Sequence, residues 1–112
     1  MTATREGGSP LIRTLRAMNA ISAAETELTE REKLLVRLAC LIATDAPRAS
    51  YLVNLAGPSA PALDRSEVEA VLVAAAPLVG SARTISAAER IAEATGFAIS
   101  AHDLYAAETT GD

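Results

Sequence analysis

The chain contains one cysteine, no tryptophan, one phenylalanine and two tyrosines, so aromatic residues make up 3% of its 112 positions. A single cysteine, Cys40, excludes an intramolecular disulfide and indicates no metal cluster. A strong excess of positive charge is also missing. The formal net charge is −4 and the pI is near 5.0. Lysine and arginine are scattered singly, which leaves no basic footprint for nucleic acid or for an anionic membrane surface. The longest apolar runs fall well short of the ~20 residues that span a bilayer, so no membrane partner is expected. Residues 1–8 are small and polar, without the charged-then-apolar pattern of a secretory segment. A soluble cytoplasmic protein is the expectation. No stretch alternates apolar and polar residues with period two, which excludes a sheet from the expected fold.

What the chain does have is alanine, about a fifth of all residues, within a hydrophobic content of 50%. Alanine is the strongest intrinsic helix former, so the composition points to an all-α fold before any pattern is read. Alanine packs helices closely but buries little apolar area, and burial is worth roughly 25 cal/mol per Å². So much apolar character with so few large side chains predicts that some of it is covered between subunits, making the chain a homo-oligomer. The length suits one domain. We expect it over residues 9–108, between short tails at 1–8 and 109–112.

Helix signals recur along the chain. Ser9-Pro10 places a capping hydroxyl before a proline at the first helical position, and Leu11, Ile12, Leu15 and Met18 follow at helical spacing. This helix is predicted to end near Ile21, with residues 22–28 as a connector. Thr29-x-x-Glu32 is a capping box. Beyond it, Leu34, Leu35, Leu38, Leu41 and Ile42 form a stripe, and residues 38–43 are apolar all round, which predicts a central buried helix. Pro47 disfavours helix at the residue before it and ends this helix. A shorter helix is predicted over 48–56, and the Gly- and Pro-rich residues 57–61 form a loop. Asp64-x-x-Glu67 is a second capping box, opening a helix with Val68, Val71, Leu72 and Ala75 inward, which Pro77 and Gly80 bend or end. A helix over about 82–95 follows, with Ile85, Ala88, Ile91 and Ala92 inward and Gly96 as its cap. Ser100-x-x-Asp103 is a candidate start for a last short helix. The sum is a bundle of five or six helices with an antiparallel pair (about 30–44 and 65–76) at its centre.

Three pieces of this pattern resemble the carboxymuconolactone decarboxylase-like family, which includes the AhpD-type peroxidases. Arg31-Glu32-Lys33-Leu34-Leu35-Val36-Arg37-Leu38-Ala39 resembles the family's helix opening. Leu63-Asp64-Arg65-Ser66-Glu67-Val68-Glu69-Ala70-Val71-Leu72 resembles its second apolar helix, and Ala76-Pro77-Leu78-Val79-Gly80 the segment that follows. Together they cover about residues 29–95. In peroxidase-type relatives a C-x-x-C pair and a following histidine open the helix between the first two pieces. Here that helix reads Arg48-Ala49-Ser50-Tyr51-Leu52-Val53-Asn54-Leu55-Ala56, with Ala49 and Leu52 at the cysteine positions. A thiol peroxidase needs a thiolate to attack and a second thiol to resolve the sulfenic acid, so peroxidase activity is excluded. Decarboxylase-type relatives carry an acid–base histidine in this helix. Counting from Glu32 places that position at Tyr51, and counting back from Asp64 places it at Asn54.

The resemblance implies a site that includes Tyr51 and Glu32 as proton-transfer groups and Asn54 as a binding residue, to which the residues' own chemistry adds Arg48 and Arg37 as substrate-binding candidates. Tyr51, with an ordinary pKa near 10, can donate a proton but is a poor base at neutral pH. Asn54 can orient a ligand but cannot titrate. Arg48 can hold a carboxylate bidentately, and Arg48, Tyr51 and Asn54 recur at helical spacing. Each residue has a plainer role beside the functional one. Glu32 completes a capping box, Tyr51 is a half-buried packing residue, and Arg48 lies on the surface. Arg37 snorkels out of the central helix, Cys40 is a small buried hydrophobe, and His102 is a surface histidine. The resemblance, taken with these residues, implies one of two functions. One is a small-molecule-binding protein or cofactor-independent lyase or isomerase, without metal, acting on a small cyclic or carboxylated metabolite. The alternative is a non-catalytic relative that keeps the fold as an oligomeric scaffold or interaction protein. An enclosed pocket bounded by Tyr51, Asn54 and a charged group would favour the first. A Tyr51 that plugs the space would favour the second.

Overall fold

Ser9, Thr29 and Asp64, the side-chain acceptors that the sequence offers ahead of apolar runs, each cap a helix start in the structure, a computed structural model that describes residues 8–55 and 63–96. Five helices are present there: α1 (Pro10–Glu25), α2 (Glu30–Ala43), α3 (Arg48–Leu55), α4 (Arg65–Val79) and α5 (Ser81–Thr95), with no strand among the described residues. Ser9 Oγ accepts from the Ile12 amide at 3.3 Å. Both capping boxes close in both directions. The Glu32 amide donates to Thr29 Oγ1 at 3.1 Å while Glu32 Oε1 accepts from the Thr29 amide at 2.8 Å. Asp64 and Glu67 repeat the exchange at 2.8 and 2.9 Å. Each box satisfies two amides that a helix start leaves without an internal partner.

Two helices run further than expected. α1 continues through Ala23 and Ala24 to Glu25, where the sequence suggested an end near Ile21; residues 22–25 include neither glycine nor proline to stop it. α4 continues through Pro77 to Val79 and ends at Gly80, whose φ of 92° suits glycine. Pro77 cannot donate to the Val73 carbonyl one turn back. Val73 is exposed, so water can satisfy that group. α5 ends at Gly96 in the left-handed region (φ 78°), as its sequence predicts. The expected last helix near Ser100, together with His102, the loop at 57–61 and residues 1–7, lies outside the described residues.

The core gathers Leu38 and Ile42 of α2, Tyr51 of α3, Val68, Leu72 and Ala75 of α4, and Ala87, Ala88 and Ile91 of α5, with Ala46 and Leu63 from the connections. α3 packs chiefly on α5 and α2 on α4, while α4–α5 and α2–α3 contacts close the bundle. α1 packs extensively on none of them and buries none of its residues. One expectation for α2 is corrected. Although apolar all round from Leu38 to Ala43, α2 is buried on one side only. Leu38 and Ile42 are sealed, whereas Val36, Cys40 and Ala43 are exposed. Cys40 is thus not the buried small hydrophobe that its apolar neighbours suggested.

Candidate functional site

α3 carries three of the five candidate site residues, and each has a different fate. Tyr51 is fully buried within the core, and its hydroxyl is without a hydrogen-bond partner. Burial pushes its pKa up to about 12, partly countered by the Arg90 guanidinium and slightly reinforced by Asp45. At neutral pH Tyr51 is therefore a neutral phenol sealed from water. Asn54, one turn on, is half-buried and donates through Nδ2 to the Ser50 carbonyl at 2.8 Å, a bond within its own helix. Arg48 opens α3 and is exposed.

The other two lie on α2. Glu32 is exposed, and Oε1 is occupied by the capping box. It sits in the first turn of α2, whereas Arg48 follows that helix's other end, with roughly 20 Å of helix between. Arg37 is half-buried in mid-helix. The structure brings Arg48, Tyr51 and Asn54 onto one short helix, but it does not gather them with Glu32 around a common space.

The turn between α2 and α3 contains a set of residues that the sequence analysis did not single out. Arg90 of α5 donates through Nη1 to the Asp45 carbonyl at 3.0 Å, the Ala46 carbonyl at 2.9 Å and the Asp45 carboxylate at 2.8 Å. Arg83, two turns earlier on α5, donates to the Ala43 carbonyl at 2.6 Å, and Ser86 donates to the Asp45 carboxylate at 3.3 Å. These bonds satisfy carbonyls that the end of α2 leaves without helical partners. They also hold Asp45 at φ 55°, a region that aspartate tolerates better than most side chains. A spacing of seven residues puts Arg83 and Arg90 on one face of α5, but nothing local indicates a target forty or more positions away.

A concavity lies on the outer side of α2. It is a groove of about 720 Å³ between α2 and α4, lined by Val36, Ala39, Cys40, Ala70, Ala74 and Leu78 among others. Among the described residues Glu67 is the only charged side chain on its wall, and its carboxylate pairs with Arg31 at 2.6 Å. The groove contains neither Tyr51 nor Asn54 nor Arg48. Alanines form much of its floor, and Leu78 stands exposed at its edge. The sequence signal for it was the run 70–79, apolar on every face of one helix. Such a helix is normally covered all round. No group of three or more His, Cys, Asp or Glu side chains able to hold a metal occurs among the described residues, and no described helix is long and apolar enough to cross a membrane. No protein-family model, curated protein or solved structure matches the chain.

Proposed function

We propose that the chain is a non-catalytic helical assembly module, similar in frame to the carboxymuconolactone decarboxylase-like proteins, that self-associates through apolar surfaces. One observation carries this reading. Tyr51, at a family acid–base position, plugs the core, while apolar surface lies open on α1, α2 and α4. A proton-transfer residue must reach the reacting atoms. A sealed phenol with a pKa of about 12 is suited to filling space. The order of capped helices, with a short α3 between two longer apolar ones, supports the family frame.

A small-molecule reading stands second, supported by the groove's volume, which lies within the roughly 300–1,000 Å³ of ordinary ligand sites. Its lining favours an apolar ring and disfavours a carboxylate beside Glu67. Sedimentation of the full chain across a hundredfold range of concentration, paired with a thermal-shift screen of cyclic metabolites, separates the two. Assembly predicts mass that rises with concentration and no selective ligand. A metabolite that stabilises the wild type but not the Tyr51→Phe/Asn54→Ala variant would instead restore the lyase or isomerase reading at α3.

A further inference from the structure

We infer that α1 of one copy seats in the α2/α4 groove of a second copy, with the exchange made reciprocally across a two-fold axis; this rests on the assembly reading. α1 is a helix without a packing surface of its own. Leu11 is 65% exposed, Met18 60% and Ile21 64%, and Leu15 and Ile12 are also exposed. At 100° per residue, Leu11, Leu15 and Met18 fall within about 60° of one another, flanked by Ile12 and Ile21, while Arg13, Arg16 and Ala20 lie on the opposite side. An amphipathic helix laid into an apolar groove is a common mode of recognition.

The groove fits this helix in chemistry and length. Its α4 wall runs from Glu67 to Val79, a rise of roughly 18 Å, and the α1 stripe from Leu11 to Ile21 rises roughly 15 Å. Ala39, Ala43, Ala70 and Ala74 leave room for a third helix to approach closely. Charge is compatible with the same pairing. Arg13 and Arg16 stay on the solvent side of a seated α1, so the apolar groove buries neither, and α1's balance of +1 (with Glu25) against −5 for the rest of a −4 chain adds a weak long-range attraction.

The occupant is a second copy because one helix in one groove is small beside the roughly 800 Å² per partner of a standard interface, and exchange places two such contacts in each dimer. The chain's own α1 is directed elsewhere. Its last turn is held to the start of α2 by Lys33 Nζ donating to the Ala23 carbonyl at 3.3 Å, and it is joined there by only residues 26–29.

Cys40, exposed on the groove wall, is a built-in reporter. The test mixes wild-type full chain with a Met18→Cys/Cys40→Ala chain carrying a longer tag, under mild oxidation. The expected product is a mixed-size disulfide dimer in high yield, and an Ala20→Cys/Cys40→Ala chain, with its thiol on the opposite face, should give little. Absence of the mixed dimer overturns the inference. So does a Met18→Cys chain that retains Cys40 and yields only a one-chain disulfide, because α1 would then lie in its own groove. Sedimentation of a Leu15→Glu/Met18→Glu variant should show a dimer dissociation constant raised about a hundredfold, at unchanged helix content. A wild type that is monomeric throughout fails the assembly reading as a whole. A wild type that associates equally well with or without those two substitutions fails only the seating of α1.

Discussion

The two sides of α2 are built from similar residues and treated in opposite ways. Leu38 and Ile42 face Tyr51, Val68, Leu72 and Ile91, and none of these six side chains is more than 5% exposed. Val36, Ala39, Cys40 and Ala43 face the groove instead, beside Ala74 and Leu78 of α4. The inner side is crossed by α3 and α5 and pinned by Arg83 and Arg90 at its end. Among the described residues the outer side has only α4 along its margin. The difference teaches that apolar content by itself does not mark a core. A second layer is what closes one, and on the outer side the described chain does not supply it.

The strongest way to break this contrast is to cut a large side chain on each face. Leu38→Ala should cost about 2–5 kcal/mol in urea unfolding, the range for deleting a buried leucine where neighbours relax only partly. Val36→Ala, on the open face, should change monomer stability by no more than about 0.5 kcal/mol. Equal losses would mean that the outer face is already covered within one chain.

Next in size is the clamp that ends the inner side. Arg90→Ala removes three hydrogen bonds to the α2–α3 turn and leaves carbonyls at Asp45 and Ala46 to find other partners. A loss of about 1–3 kcal/mol is expected. Most of it should come from the carbonyl bonds, because the ion pair to Asp45 is about one-third exposed on the arginine and is weakened by solvent. An unchanged urea midpoint would show that water serves those carbonyls as well. Thr29→Ala should cost less, about 1 kcal/mol, as expected for an N-cap hydroxyl.

The capping boxes also give the contrast a pH dependence. Hydrogen bonds, chiefly from the Glu67 amide and then from Ser66, hold the Asp64 carboxyl below its usual range. A depressed carboxyl binds fewer protons folded than unfolded. Its contribution is therefore complete above the unfolded value near 4, and is lost as pH falls through the folded one. Asp64→Asn, which mimics the protonated carboxyl, should lower stability slightly at neutral pH and flatten the acid limb below about pH 4, so that the two proteins converge in acid, as thermal unfolding across that range would show.

The sequence disclosed those features that depend on near neighbours. Thr29 with Glu32, and Asp64 with Glu67, are three residues apart, so their hydrogen bonds could be read directly. Leu38, Val68, Leu72 and Ile91 followed from helical spacing. The failures share a cause. Cys40 belongs to an all-apolar run, and only the arrangement of neighbouring helices decides which of its faces is covered. The Arg90 clamp spans more than forty residues and leaves no local pattern. Tyr51 reads as half-buried from its sequence neighbours, and only the packing of α3 on α5 and α2 seals it.

The smallest expected effect bears on the site most directly. Tyr51→Phe removes a buried hydroxyl that makes no hydrogen bond and keeps the ring that fills the core. Deleting an unsatisfied buried polar atom should leave stability unchanged or raise it by up to about 1 kcal/mol, a few degrees in Tm. The alkaline limb should also change. Because the folded-state pKa is raised to about 12, the phenol's contribution is complete below its unfolded value of 10.0 and is lost as pH climbs from there towards the folded one. The Phe variant should therefore lose stability less steeply across that interval. A variant destabilised by 2 kcal/mol or more would mean that the hydroxyl makes a hydrogen bond in solution. Tyr51 would then be a working polar group, and the inner side would no longer be a purely space-filling core set against an open outer face.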